Sequence, residues 1–320
     1  MPGEKARALR VAAVQMESKN GLIRENLERA ASLVDGAAQE GAKLILLPEF
    51  MTTGYLFTNE IWNAGEPQEG PTVKWLRENS KRLGVWLGTS FLEAEGEDFF
   101  NTFVLVAPDG KEAGRVRKQT PAIFEAFFFK GDAGSHVIET ELGKIGVGIC
   151  YENQLAYMPQ MMCSQSVDLV LMPHSAPTPM QNFFFSKKLV EIYNSELGAC
   201  AQRTARRLGA PAVMVNKCGP WQSPLPGLPL FQDSSFPGLS TIVDSDGSVK
   251  AGLGEEEGVI VGDVTLDPAR KTGKPGQCFG RWAYQGPWLR NVWRAVEFFG
   301  GRSYSKSSER KRKAREISGH

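Results

Sequence analysis

Short apolar segments alternate with amphipathic ones along most of the chain. Residues 11–16 and 43–48 are largely apolar without regular alternation, which is typical of strands buried on both faces. Between them, residues 23–40 repeat apolar side chains at the three- and four-residue spacing that predicts an amphipathic helix. This interleaving continues without a linker-like stretch. The pattern therefore predicts a single α/β domain over residues 1–300, with its sheets covered by helices.

Turn residues separate the remaining elements. Pro108-Asp109-Gly110 lies between two predicted strands and is typical of a hairpin, and residues 244–247 repeat this arrangement. Further strands are predicted at residues 85–91, 102–107, 112–117, 145–149, 169–172, 212–215, 240–243 and 249–251, and further helices at residues 72–82, 156–165 and 183–208. The segment 220–237 holds five prolines and few charges, and we interpret it as a lid or a dimer-contact loop.

Composition narrows the class of protein. The chain has 320 residues, of which 42% are hydrophobic and 23% charged, so it can build a large core. Its apolar runs are too short to span a bilayer and its first residues do not resemble a secretory signal, so we expect a cytoplasmic protein without a membrane partner. Five scattered cysteines and three histidines give no disulfide framework or metal-binding motif. We therefore expect no metal site.

The net charge of +1 is unevenly distributed. Residues 302–316 carry seven basic and two acidic side chains, which leaves 30 basic and 34 acidic residues in the rest of the chain. A nearly neutral body lacks the electrostatic surface that nucleic acid requires. We expect residues 301–320 to be a basic tail that is disordered or extends over a partner subunit.

Three predicted strands end in a chemically active residue. These residues are Glu49, Lys118 and Cys150, and loops at strand ends are a common place for active sites. Each residue alone is a weak signal, because most strand-end Glu and Lys side chains are solvated and most isolated cysteines are core residues. Their combination is more informative than any one of them.

Glu49, Lys118 and Cys150 together form a plausible nucleophilic site. A nucleophilic thiol needs a proton acceptor, and only His136 and His174 precede the C-terminal residue as candidate imidazoles. A glutamate at the end of a buried strand is the economical alternative, because desolvation raises its pKa toward neutrality. A lysine ammonium favours the thiolate and stabilises an oxyanion.

The motifs around these residues resemble those of the nitrilase superfamily of carbon–nitrogen hydrolases, from about Arg10 to about Asp267. The matching blocks are Leu47-Pro48-Glu49-Phe50, Arg117-Lys118-Gln119-Thr120-Pro121, and residues 143–153, which include Cys150-Tyr151-Glu152-Asn153. They occur in the order that the family shows. The resemblance implies a four-layer α-β-β-α sandwich, a homodimer or higher homo-oligomer, and no cofactor.

The same resemblance implies roles for individual residues. Cys150 is expected to be the nucleophile, Glu49 the general base and Lys118 the stabiliser of the tetrahedral intermediate. Glu125 precedes an aromatic stretch and a Gly-Asp pair, as the family's second glutamate does. The backbone N–H of Tyr151 is expected to complete the oxyanion hole.

The substrate is only partly constrained by the sequence. We expect hydrolysis of a small amide through a thioester, with hydrolysis of a nitrile as the alternative. Asn153 and Gln154 stand where several N-carbamoyl-amino-acid hydrolases of the family carry arginines, which weakens that reading. A non-catalytic binding protein is disfavoured because all four catalytic residue types are present.

We also expect a set of residues to line the substrate pocket. They follow strand ends or lie in the loops of the site. They are Tyr55, Phe124, Tyr151, Glu152 and His174, with the aromatic run at residues 182–185 as a further candidate for the pocket, a helix core or a dimer contact.

Overall fold

Two six-stranded sheets form the centre of the structure. The structure is a computed structural model, and it describes residues 5–181, 186–227, 230–286 and 290–319. The strands are β1 (Arg7–Gln15), β2 (Leu44–Leu46), β3 (Trp86–Glu95), β4 (Asp98–Val106), β5 (Glu112–Arg117), β6 (Val137–Thr140), β7 (Gly143–Val147), β8 (Leu169–Pro173), β9 (Ala212–Val215), β10 (Cys218–Pro224), β11 (Phe231–Pro237), β12 (Thr241–Val243), β13 (Val249–Gly252) and β14 (Gly258–Leu266). The first sheet has the order β14-β1-β2-β3-β4-β5 and the second β13-β12-β9-β8-β7-β6. Strands β1, β2 and β3 pair in parallel, as do β7, β8 and β9.

Helices cover the outer faces of both sheets. The helices are α1 (Ile23–Gln39), α2 (Pro71–Leu83), α3 (Tyr157–Ser164), α4 (Lys187–Gly198), α5 (Cys200–Leu208), α6 (Arg290–Lys306) and α7 (Ser308–Ser318). Helices α1 and α2 contact the first sheet, and α5, which packs on α3, contacts the second. The expected α-β-β-α sandwich is confirmed. Among the described residues, no helix combines the length and apolar character needed to cross a bilayer.

Successive residues of the central strands point alternately into two apolar cores, one on each face of the sheet. Val11 and Ala13 of β1 belong to the apolar core that also contains residues of the second sheet, whereas Ala12 and Val14 pack with the core formed by α1 and α2. Leu44, Ile45, Leu46 and Leu47 divide in the same way. Because both faces exclude water, every position of such a strand is apolar. The first polar residue after β2, Glu49, therefore lies at the end of the sheet.

Several elements differ from the sequence prediction. The helix predicted at residues 183–208 is two helices, α4 and α5, which meet at Ala199; its residues 183–185 and the rest of the aromatic run at 182–185 lie outside the described residues. The described residues of segment 220–237 belong mainly to an antiparallel ribbon of β10 and β11 rather than to an irregular loop, and a role as lid or dimer contact stays a prediction. Pro220, Pro224 and Pro237 are tolerated in these strands because the ribbon has only two strands, so each strand is an edge.

The basic C-terminal segment, which we expected to be disordered or to extend over a partner subunit, is helical and packs on its own chain, and its extension over a partner stays a prediction. Ser307 caps α7 by accepting a hydrogen bond from the backbone N–H of Arg310. The guanidinium of Arg310 is buried against Asp98, and Lys311 pairs with Glu97. An acidic turn between β3 and β4 therefore neutralises this part of the helix, which sequence position alone could not reveal.

Candidate active site

One end of the first sheet brings Glu49 and Lys118 together. Glu49 follows β2, and the next residue, Phe50, has a φ of 50°, a left-handed conformation that costs a bulky residue about 1–3 kcal/mol. Lys118 follows β5, and its backbone N–H donates to the carbonyl oxygen of Asn101 on β4. Both side chains are fully buried at the same end of the first sheet.

The ammonium of Lys118 binds two carboxylates. Its Nζ lies 2.7 Å from Oε1 of Glu49 and 2.8 Å from Oε2 of Glu125. All three side chains are at most 1% exposed. Burial alone lowers the pKa of Lys118, but the charges of Glu125 and Glu49 outweigh it, so the pKa is raised and the lysine stays charged.

Three further groups orient Glu49. The side-chain amide of Asn101 donates to Oε1 at 2.7 Å, and the backbone N–H of Ser175 donates to Oε2 at 2.7 Å. The hydroxyl of Ser175 donates to the backbone carbonyl of Glu49 at 2.6 Å. The carboxylate thus has a fixed direction, with one oxygen toward Lys118 and the other toward the loop after β8.

Glu125 lies on a 3₁₀ helix, Ile123–Phe127, in the loop after Lys118. Its Oε2 accepts the backbone N–H of Ala122 at 2.5 Å, and its Oε1 accepts the hydroxyl of Tyr55 at 2.8 Å. Burial raises the pKa of Glu125 to about 7, with Lys118 opposing the shift and the charge of Glu49 reinforcing it. Near neutral pH, the site therefore has a carboxyl that is easily protonated.

Cys150 opens a second 3₁₀ helix, Cys150–Gln154, which follows β7. It has a φ of 51°, and the residue is 8% exposed, the most accessible of the four predicted catalytic residues. Burial and the charge of Glu49 raise the pKa of the thiol well above its usual value, while Lys118 and the backbone N–H of Ser175 oppose the shift. At rest the thiol is protonated, so a nucleophilic role requires a base.

The predicted pocket residues lie in different surroundings. Tyr55 and His174 lie beside the carboxylates; burial lowers the pKa of His174 to about 4, so its imidazole is neutral. Phe124 is half-buried and packs on Phe57, at a ring separation of 5.9 Å. The hydroxyl of Tyr151 points to Glu297 on α6, at 2.9 Å. Contact of any of these residues with a substrate stays a prediction.

Glu152 connects the 3₁₀ helix that begins at Cys150 with the loop that follows Lys118. Its Oε1 accepts the backbone N–H of Gln119 at 2.7 Å, lies 3.1 Å from Nε2 of His136 and accepts the hydroxyl of Tyr157 at 2.6 Å. Burial raises the pKa of Glu152, but the hydrogen bond and charge of His136 outweigh it and the pKa is lowered. This buried carboxylate positions Lys118 and Cys150 relative to each other, and its predicted contact with substrate remains untested.

Sequence reasoning missed four residues near the site. Asn101 and Ser175 orient Glu49, and Lys217 donates to the carbonyl of Phe50. Tyr193 on α4 packs against the core cluster that contains Cys150, and burial followed by the charges of Cys150 and Glu49 raises its pKa. None of the four belongs to the motif blocks, so only their tertiary contacts reveal them.

Two absences bear on the chemistry. The Oδ1 atom of Asn101 is a buried acceptor with no hydrogen-bond partner among the described residues. In the same part of the chain, no group of three or more His, Cys, Asp or Glu side chains is placed to hold a metal ion.

Comparison with known proteins decides the family. A family model described as carbon–nitrogen hydrolase matches residues 10–274. This chain belongs to that family, within the nitrilase superfamily. The resemblance inferred from the Glu49, Lys118 and Cys150 blocks is thereby confirmed, and the chain is a carbon–nitrogen hydrolase.

Individual relatives carry different names. The N-carbamoylputrescine amidase of Solanum tuberosum is 28% identical over 82% of this chain and 88% of its own. The nitrilase of Pyrococcus abyssi is 30% identical over 53% of this chain and 66% of its own. A mutant of the amidase from Nesterenkonia sp. AN1, which shows covalent addition of the acetamide moiety of fluoroacetamide at the active-site cysteine, aligns with a TM-score of 0.63, 22% identity and coverage of 82% of this chain and 91% of that one.

Proposed function

We propose that this carbon–nitrogen hydrolase cleaves the C–N bond of a small carboxamide through a thioester on Cys150. The observation that carries the proposal is the buried Lys118 ammonium, which binds Glu49 and Glu125 at 2.7 and 2.8 Å. This arrangement supplies a base and a fixed positive charge beside a thiol that is protonated at rest.

The first half of the reaction forms the thioester. Glu49 accepts the proton of the Cys150 thiol while the sulfur attacks the carbonyl carbon. The oxyanion of the tetrahedral intermediate is stabilised by Lys118 and by the backbone N–H of Tyr151. Glu49 then returns the proton to the leaving nitrogen, the C–N bond breaks, and ammonia or an amine departs.

The second half regenerates the enzyme. Glu49 accepts a proton from a water molecule, whose oxygen attacks the thioester carbon. The new tetrahedral intermediate expels the Cys150 sulfur, which recovers a proton from Glu49, and the carboxylic acid is released. Glu125 and Tyr55 keep Lys118 in place throughout, because the hydroxyl of Tyr55 is bonded to the carboxyl that holds the ammonium.

Relatives support an amide substrate and a cysteine nucleophile. The potato relative is named an N-carbamoylputrescine amidase, and a mutant of the Nesterenkonia amidase carries its covalent adduct on the active-site cysteine. Nitrile hydrolysis is the second candidate, since the Pyrococcus relative is named a nitrilase.

The unpartnered Oδ1 of Asn101 favours the amide. Its amide nitrogen donates to Glu49, so the oxygen is fixed as an acceptor beside the proposed base. A carboxamide offers N–H donors to such an atom, whereas a nitrile nitrogen only accepts. A buried acceptor that stays unpaired costs about 1–3 kcal/mol, which makes it a means of discrimination.

The test is a panel of carboxamides and nitriles matched in their acyl groups, with ammonia release as the readout. We expect a higher kcat/KM for each amide than for its matched nitrile, by about ten-fold or more if one buried hydrogen bond separates them. Nitriles that are consistently the better substrates would reverse the assignment.

A further inference from the structure

Lys217 is a second fully buried lysine near the site. It follows β9, and its Nζ donates to the carbonyl oxygen of Phe50 at 3.0 Å. The same ammonium lies 6.0 Å from the ring centroid of Tyr55 and 5.7 Å from that of Phe236. The proposed reaction gives this residue no role.

The surroundings of Lys217 are unusual for a buried cation. Buried ammonium groups are normally paired with a carboxylate, yet no carboxylate oxygen of the described residues lies within 4.0 Å of this Nζ. Glu49, Glu125 and Lys118 together carry a charge of −1 when both carboxyls are ionised. A charged Lys217 brings the buried group to neutrality, which reduces the cost of keeping both glutamates ionised out of water.

Lys217 contacts two groups that are next to Glu49 and Glu125, namely the carbonyl of Phe50 and the ring of Tyr55. The carbonyl that it binds belongs to the left-handed residue directly after Glu49, whose backbone N–H donates to the hydroxyl of Ser90. The ring of Tyr55 that it faces carries the hydroxyl bonded to Glu125. Lys217 is therefore placed to fix the turn that aims one carboxylate and the ring that holds the other.

We infer that Lys217 is a positioning residue for Glu49 and Glu125, acting through the Phe50 carbonyl, the Tyr55 ring and its own charge. The inference rests on the proposed function, since it assumes that Glu49 is the base for Cys150. It adds a buried cation that stands outside the motif blocks and does not contact the reacting atoms.

The electrostatics agree with this geometry. Burial lowers the pKa of Lys217 to about 7, and the charge of Glu49 opposes the shift, so the two groups are coupled. Other titratable groups also interact with Glu49, and a pH experiment must take them into account. They are Lys118, Glu125, Cys150, Tyr55, His174 and Tyr193.

The test measures alkylation of Cys150 by iodoacetamide, followed by peptide mass spectrometry, which needs no knowledge of the substrate. The rate reports how readily the thiol loses its proton. Wild type, Lys217→Met, Lys217→Gln and Glu49→Gln are compared over a range of about pH 5 to pH 9 that spans the shifted groups. Lys144→Met is the matched control, because Lys144 lies on the strand leading to Cys150 but has a side chain 44% exposed.

We expect Lys217→Met to slow alkylation by about ten-fold at neutral pH and to move the acid limb of the profile up by about one pH unit, since a nearby opposite charge favours ionised carboxylates. Lys217→Gln keeps a donor without the charge and should share the shifted limb. Lys144→Met should match wild type. Lys217→Met removes a buried ammonium without a carboxylate among the described residues within 4.0 Å, and the cost of burying that charge is removed with it, so the Met variant should fold; if it does not, the Gln variant carries the test.

The outcomes separate this inference from the proposed function. An alkylation rate that Glu49→Gln leaves unchanged or raises would overturn the proposed role of Glu49 as base, because removal of a charge that raises the pKa of the thiol would then outweigh the loss of the proton acceptor. A rate lowered by Glu49→Gln but unchanged in both Lys217 variants would overturn the role of Lys217 alone. A slower rate with an unmoved acid limb would mean that Lys217 is merely structural, and would also overturn the inference.

Discussion

Arg117 and Lys118 are consecutive cations that contact buried glutamates but have opposite tasks. Arg117 donates to Glu93 at 3.0 and 3.1 Å, and Arg115 and the hydroxyl of Thr102 bind the same carboxylate. Burial raises the pKa of Glu93, but these hydrogen bonds and charges outweigh it, so the pKa is lowered. Across the strand, Lys118 is one ammonium shared between two carboxylates, and the pKa of Glu125 is raised to about 7.

The difference lies in how many cations each buried carboxylate contacts. Glu93 receives two guanidinium groups, which hold it firmly ionised and leave no proton to exchange, while other partners of Arg115 and Arg117, such as Glu112 and Glu95, are partly exposed. In the site, two buried glutamates share the ammonium of Lys118, so one of them is close to taking up a proton. A buried carboxylate that shares its cation with a second carboxylate is therefore suited to proton transfer.

Replacing the nucleophile should have the largest effect. Cys150→Ala is expected to lower kcat/KM by about 10⁴-fold or more, because covalent catalysis is lost. Its stability should change by no more than about 1 kcal/mol, because only one sulfur atom is removed. Amide turnover and urea unfolding measure the two quantities.

The other cysteines are the controls for Cys150→Ala. Each of Cys163, Cys200, Cys218 and Cys278 should tolerate replacement by Ala with activity retained, since none lies in the site. Substantial turnover by Cys150→Ala would refute the covalent route, whatever the controls do.

A matched pair of substitutions separates the two cation clusters. Lys118→Met should lower kcat/KM by about 10³-fold, because the oxyanion loses its charged partner. Arg117→Met should cost about 3 kcal/mol of stability by removing a cation from the buried Glu93, a type of loss that Lys118→Met shares, but kcat of the folded protein should stay close to wild type. Steady-state kinetics and urea unfolding of both variants measure the contrast. Equal losses of activity in the two variants would show that the clusters are not functionally distinct.

Much of the site was predictable because its chemistry follows the periodicity of the chain. Glu49, Lys118 and Cys150 each stand where an apolar strand ends, and the motif blocks then identified Glu125. Strand ends on one edge of a sandwich necessarily lie close together, so the proximity of Glu49 and Lys118 follows from local pattern and fold class.

The partners of these residues were not predictable in the same way. Ser175 reaches Glu49 across 126 residues of sequence and Lys217 reaches Phe50 across 167, and no local pattern marks either contact. The break between α4 and α5 at Ala199 was missed because that stretch contains no proline and only Gly198 as a helix-weakening residue. Helix α7 was not predicted because its acidic partners, Glu97 and Asp98, lie some two hundred residues earlier.

The smallest expected effect concerns two buried histidines, His174 and His136, whose pKa values are shifted in opposite directions. Burial lowers the pKa of His174 from 6.5 to about 4, whereas burial of His136 is outweighed by Glu152 and its pKa is raised. A lowered histidine pKa means that the unfolded chain binds more protons between about pH 4 and pH 6.5, so stability falls as the pH drops through that window. A raised pKa has the opposite effect: the stability it contributes is present at low pH and is lost as the pH rises through the pKa of the folded state.

Wild type should lose about 2 kcal/mol of stability between pH 8 and pH 5 through His174, and His174→Asn should abolish that part of the loss. His136→Asn should be more destabilising at pH 5 than at pH 8. Urea unfolding of the three proteins at both pH values measures these differences. Parallel pH dependence in the two variants would contradict the opposite directions of the pKa shifts of His174 and His136.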